Sequence, residues 1–187
     1  MENTIKIINV NMDVKKVTEY NDNTKKITMI KESKKRTITN QECWNFTAED
    51  LSTENQLAYI MQMHINNIEN KHECSIIHNN IIQKMNGYKS QDIKKKLYMP
   101  DMFVDKEYIL MLLKCSQNIC YYCKEPVEIL YEEVRGPKQW SLDRINNKIG
   151  HNKENILIAC LDCNVKRKTM YHERYAFTKQ LSIVKKN

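Results

Sequence analysis

Between Leu57 and Ile68 the apolar residues Leu57, Ile60, Met61, Ile65 and Ile68 recur three and four positions apart, as on one face of an α-helix. They predict a helix over 48–70, with Thr47-Ala-Glu-Asp50 as a capping box at its start. A second helical run holds Ile76, Ile77, Ile81 and Met85 and is expected to end at Asn86-Gly87, where glycine suits a left-handed cap. A third, KEYILMLLKCSQ, follows Asp105 as its N-cap. Before residue 40 the pattern differs. TIKIINVNM, KKITMIK and RTIT are short alternating runs divided by polar breaks, the reading of small strands or a partly ordered extension. After Cys120 it changes again, to the short β-branched runs PVEILYEEV, WSLDRIN and ENILIAC, which predict two or three strands. From Asn164 onward NVKRKTMYHERYAFTKQLSIVKK reads as one basic helix.

The chain is therefore expected to be α+β, with a β-rich or partly ordered N-terminal extension over 1–46, a helical region over 47–117 and a C-terminal module over 118–187. At 187 residues it is long enough to bury a core. Its longest apolar run, the six residues from Tyr108 to Leu113, falls far short of a membrane span, and the N-terminus carries no signal-peptide pattern. The expected location is intracellular, in cytoplasm or nucleus, including that of a virus-infected host.

Charge sharpens the division. Residues 135–187 hold 12 Lys and Arg against 4 Asp and Glu, whereas residues 1–134 hold 18 against 19. A basic excess confined to the C-terminal third points to a polyanionic partner, most simply nucleic acid; a solvated lysine-rich helix is the alternative.

Seven cysteines, an odd number, favour metal over disulfides. Cys120-Tyr-Tyr-Cys123 and Cys160-Leu-Asp-Cys163 supply four thiolates in two knuckles, the spacing that tetrahedral Zn²⁺ takes. Four thiolates leave no coordination position for water, so the expected zinc is structural. Cys43, Cys74 and Cys115 read as small buried apolar residues.

Within this frame Cys120-x-x-Cys123, Leu142-Asp143-Arg144-Ile145, Gly150-His151-Asn152, Glu154-Asn155-Ile156 and Cys160-x-x-Cys163-Asn164-x-x-x-Lys168 together resemble the HNH endonucleases of the ββα-metal type, in the version stapled by a four-cysteine zinc. The resemblance covers about residues 118–175. The longer stretch from GYKSQDIKKK (87–96) is also similar to HNH proteins of large DNA viruses and would draw the preceding helices into the same unit. The resemblance implies hydrolysis of DNA phosphodiester bonds with a catalytic Mg²⁺ or Mn²⁺. It further implies that Asp143 and Asn164 ligate that ion and that Asn155 pins the loop between the strands. Singly, Asp143 also reads as a strand-end salt-bridge partner, Asn155 as a turn residue and Asn164 as a helix N-cap.

The chain departs from the pattern after the aspartate, where the family's general-base histidine is replaced by Arg144. A guanidinium cannot accept a proton from water, though it can bind a phosphate bidentately. His151 is the one histidine of this segment and becomes the candidate base, its alternative being a loop cap; His172, two helical turns beyond Asn164, is a poorer one. Lys148, Lys166, Arg167 and Lys168 are the expected contacts to DNA backbone phosphates, with little sequence selectivity, and Lys94-Lys95-Lys96 a secondary one. The rival readings are a catalytically inactive zinc-containing nucleic-acid-binding module and an interaction scaffold built on the 48–115 helices.

Overall fold

The computed structural model describes residues 16–21, 24–29 and 45–181 of the chain, which divides into two units, 1–35 and 36–187. In the first unit, β1 (Lys16–Asn21) pairs antiparallel with β2 (Thr24–Met29), Lys16 opposite Met29 and Asn21 opposite Thr24. Of the extension expected over 1–46, this hairpin and residues 45–46 are described; Cys43 lies outside the described residues.

Among its described residues the second unit has mixed α+β architecture: five helices and an antiparallel two-stranded hairpin. Helix α1 (Thr53–Ile65) starts later than its apolar pattern suggests. Thr47 and Asp50 do bond each other, the Thr47 amide donating to Asp50 Oδ2 (2.7 Å) and the Asp50 amide to Thr47 Oγ1 (3.3 Å), but they close a separate turn. Ser52 caps the helix itself by accepting from the Asn55 amide. Helix α2 (Lys71–Lys94) runs seven residues past the expected stop at Gly87. The cost of a helical glycine, about 1 kcal/mol, is offset by what the extra two turns carry, namely Tyr88 and the buried Asp92. Helix α3 (Lys106–Cys115) is capped by Asp105, whose carboxylate accepts from the Tyr108 amide (2.8 Å). Ile60, Ile77, Ile81, Ile109 and Leu113 from these three helices are fully buried together. Cys74 is buried with them, but Cys115 is exposed, against the expectation for it.

PVEILYEEV does not form a strand. Its backbone finds other partners: the amides of Ile129 and Leu130 both donate to the side-chain oxygen of Gln56 on α1 (2.6 and 3.0 Å), and only isolated bridges form, Pro126 to Ile119 and Glu128 to Gln139. With Ile129 and Leu130 both buried, no alternation of faces survives. The other two runs form β3 (Trp140–Arg144) and β4 (Ile156–Cys160), paired antiparallel with Leu142 opposite Ile158 and Arg144 opposite Ile156.

The expected single C-terminal helix is two. Helix α4 (Leu161–Arg167) begins with Cys160 as its N-cap, which places Asn164 inside the helix rather than at its cap. It stops at Lys168, whose φ of 54° is left-handed, and α5 (His172–Gln180) follows. The Arg167 guanidinium holds the break by donating to the Met170 carbonyl (2.7 Å). No described helix is long and apolar enough to cross a membrane.

Because Gly87 is exposed in mid-helix with nothing within 4 Å of an added Cβ, Gly87→Ala is expected to stabilise the protein by about 0.5–1 kcal/mol. Urea denaturation checks this, and a loss of stability would contradict a continuous α2.

Candidate functional site

Four cysteine sulfurs gather where the hairpin meets α4. Cys120 and Cys123 sit in a tight turn whose Tyr121 amide donates to the Ile158 carbonyl of β4 (2.9 Å), while β4 itself runs into Cys160 and α4 carries Cys163. The four Sγ atoms lie within 4.8 Å of one another. Tetrahedral zinc with Zn–S bonds of about 2.3 Å would set its sulfurs about 3.8 Å apart; Cys123 and Cys160 are 3.9 Å apart, and the Cys163 amide points at Cys160 Sγ (3.4 Å). The cluster could hold a metal such as zinc. Among the described residues it is the one grouping of three or more thiol, imidazole or carboxylate ligands.

Beside it, a cleft of about 340 Å³ opens between α2 and the hairpin–α4 unit. Its wall brings together Asp143, Arg144, His151, Asn164 and Lys168 from the sequence candidates, and adds Lys84, Tyr88, Gln91 and Lys95 from α2 and its end. Asn155 fixes the loop that carries His151. Its Oδ1 accepts from the Asn146 amide (2.9 Å), and its Nδ2 donates to the carbonyls of Asn146 (3.1 Å) and Gly150 (2.9 Å). Asn164 donates through Nδ2 to Ser141 Oγ (3.0 Å) and the Leu142 carbonyl (3.1 Å), tying α4 to β3.

Asp143 is placed differently from the expectation of an open metal ligand. It is 5% exposed, and both carboxylate oxygens are engaged. Oδ1 accepts from Arg167 Nη2 (2.8 Å), and Oδ2 from Arg167 Nε (2.5 Å) and the Tyr122 hydroxyl (2.6 Å). Burial and the neighbouring carboxylate push the Tyr122 phenol up, so it stays a donor. As placed, the Asp143 carboxylate is spent on Arg167 and Tyr122 and does not fit an open divalent site, so the Mg²⁺ or Mn²⁺ implied by the resemblance would compete with those donors.

The same pair corrects the reading of Arg167 as a phosphate contact. Only 2% exposed, its guanidinium also donates to the Arg144 carbonyl (2.6 Å) and Asn147 Oδ1 (3.1 Å), so its donors are largely spent inside the fold. Lys166 is exposed but paired with Asp162 (2.8 Å), and Lys148 lines a neighbouring hollow with Tyr171 and His172 instead of the cleft. Of the four, Lys168 alone is on the cleft wall.

His151 is 4% exposed and faces Asp92 on α2. Its Nδ1 lies 2.9 and 3.1 Å from the two carboxylate oxygens, its amide donates to Oδ2 (2.6 Å), and its ring stacks on Tyr88 at 4.4 Å. Burial pushes the imidazole below its ordinary value, with Arg144 and Lys95 acting the same way and Asp92 opposing them. At neutral pH it is an uncharged base. Arg144, 4.0 Å from Asp92 Oδ1, also donates to the Ile149 carbonyl (3.2 Å). Lys84 forms part of the wall with its ammonium donating to Gln139 Oε1 (3.0 Å) and the Trp140 carbonyl (2.5 Å), and burial pushes it down to about 7.

Tyr88 and Asp92 went unread in the sequence because α2 was expected to end before them, and Lys84, inside the expected helix, was not singled out. Residues 84, 88, 91 and 95 recur at helical spacing, and that polar stripe was the available signal.

Freshly prepared reduced protein is expected to contain about one zinc per chain, lost with Cys160→Ser, by elemental analysis; zinc-free folded protein would contradict the staple. Arg167→Ala strands a buried carboxylate and should cost about 3–5 kcal/mol in urea denaturation, where a surface phosphate contact would cost almost nothing. No family model matches the chain, and no curated protein or solved structure matches it significantly.

Proposed function

We propose that the cleft between α2 and the hairpin hydrolyses phosphodiester bonds in DNA, as an HNH-like endonuclease whose hairpin and helix are stapled by zinc. The observation that carries this reading is a buried imidazole, His151, held against Asp92 on the wall of a cleft that also presents Arg144, Lys95 and Lys168. Both nearby carboxylates already have donors, so the free charge of the cleft is positive and suits a phosphate. In the proposed reaction a water oxygen bonds to phosphorus, its proton passes to His151, and the bond to the 3′ oxygen breaks. Arg144 and Lys168 bind the phosphate and offset the charge that builds on it. Each contact is to backbone phosphate, so selectivity for base sequence is expected to be low and binding to weaken steeply with salt.

A specific observation favours a second reading, the catalytically inactive nucleic-acid-binding module. Asp143 is closed off by Arg167 and Tyr122, and Arg144 stands where the family's base would be. Nicking of supercoiled plasmid, with Mg²⁺ or Mn²⁺ and with EDTA, separates the two. Cleavage that persists in EDTA belongs to the cleft residues alone, and cleavage that needs the metal requires Asp143 to part from Arg167 on binding. DNA binding with no cleavage under either condition establishes the second reading.

If the protein cuts, His151→Ala is expected to lower the rate about 10²- to 10⁴-fold while leaving zinc content and DNA affinity unchanged. Because the imidazole is depressed, wild-type activity should hold through neutral pH. It should fall only as the pH drops through a value below that of an ordinary histidine, about 6.5. A rate insensitive to His151→Ala would remove it from the chemistry.

A further inference from the structure

We propose that Asp92 is the positioning residue of His151, fixing the imidazole with its proton on Nδ1 and its Nε2 lone pair turned to the cleft. The inference rests on the hydrolytic reading only for what that lone pair does; the ring's orientation stands by itself.

Asp92 is an uncomfortable residue where it lies. It is fully buried and in the last turn of α2, the end of a helix where a negative charge meets the partial charge of the free carbonyls. A carboxylate there requires donors: the His151 amide donates to Oδ2, and Nδ1 lies 2.9 and 3.1 Å from the two oxygens. Gly150 makes the approach possible. A Cβ at this position would lie 2.5 Å from the Leu97 carbonyl oxygen and 2.8 Å from Asp92 Oδ2, too close for any side chain. The backbone around the histidine is clamped from both sides: its carbonyl accepts from the Val104 amide (3.0 Å), and Asn155 holds the Gly150 carbonyl. Tyr88 covers one face of the ring.

A carboxylate only accepts, so the Nδ1 facing it must carry the proton, and neutral imidazole then has its acceptor at Nε2. The charged and titratable groups facing the ring are Asp92, Tyr88 and Lys95 from α2 and its end and Arg144 from β3. Asp92 is the one anion among them. In Asp92→Asn the amide oxygen can still accept from the His151 amide, and the amide nitrogen then donates to Nδ1. The ring proton moves to Nε2, where it faces the cleft as a donor, and the imidazole titrates at lower pH because its one opposing charge is gone.

The test is nitrogen-detected histidine NMR on the full zinc-loaded chain labelled with ¹⁵N-histidine, which reports tautomer and titration directly. His151→Gln identifies the His151 signals among the five histidines. Wild type is expected to show the Nδ1–H form at pH 7. Asp92→Asn is expected to show the Nε2–H form and a downward-shifted titration, and to lose about 10²- to 10⁴-fold in plasmid nicking with DNA affinity retained. An Nε2–H tautomer in wild type, or an unchanged tautomer and titration in a folded Asp92→Asn, overturns the proposal. The wild-type spectrum decides even if the variant fails to fold. A wild type with the expected tautomer that cuts nothing leaves the positioning intact and removes the hydrolytic reading. A His151-dependent nuclease with the other tautomer does the reverse.

Discussion

A hairpin of two strands has two open edges, and an isolated one is marginal in water. Strand β3 survives because its outer edge is filled by groups from elsewhere in the unit. The Trp140 amide donates to the Glu128 carbonyl, the Leu142 amide to the Tyr88 hydroxyl, and the carbonyls of Leu142 and Arg144 accept from Asn164 and Arg167. Tyr88 and Asn164 thus complete the sheet and line the cleft at once. Strand β4 is bordered in turn by the Tyr121 amide of the first cysteine turn, and the four sulfurs tie that turn to the start of α4. Stability of the hairpin and geometry of the cleft are one problem with one solution.

This coupling explains which parts of the chain were legible. WSLDRIN and ENILIAC are strongly β-branched and short, and they appear as strands where their composition placed them. The cysteine spacing identified the cluster without help from the fold, because two knuckles at one ion need only local geometry. PVEILYEEV misled for a tertiary reason. A single glutamine, Gln56, some 70 residues earlier, takes two amides that would otherwise have sought a strand. The end of α2 misled for another. Gly87 is a sound local stop signal, but the bonds made by Tyr88 and Asp92 with residues 142 and 151 lie beyond any local rule.

The candidate site follows the same logic. Asn155 and Asn164 bond to backbone within their own module, and their roles could be framed from spacing alone. Asp143 could not be settled that way, since the same sequence serves a metal ligand or a salt bridge, and Arg167 provides the latter, bidentate and buried. The wall of the cleft carries the buried imidazole of His151 beside the cations Arg144, Lys95 and Lys168. The helical region and the cysteine module meet at this cleft, as the longer resemblance from residue 87 implied.

The central claim is that nucleic-acid phosphate enters the cleft between α2 and the hairpin. Titration of the ¹⁵N-labelled full chain with a short DNA oligonucleotide, followed by amide shifts, tests it most directly. The account predicts perturbations concentrated at Lys95, Arg144, His151, Asn164 and Lys168, diminishing as salt is raised. Shifts confined to the exposed face around Tyr171 and Phe177, or none at all at low salt, would contradict it.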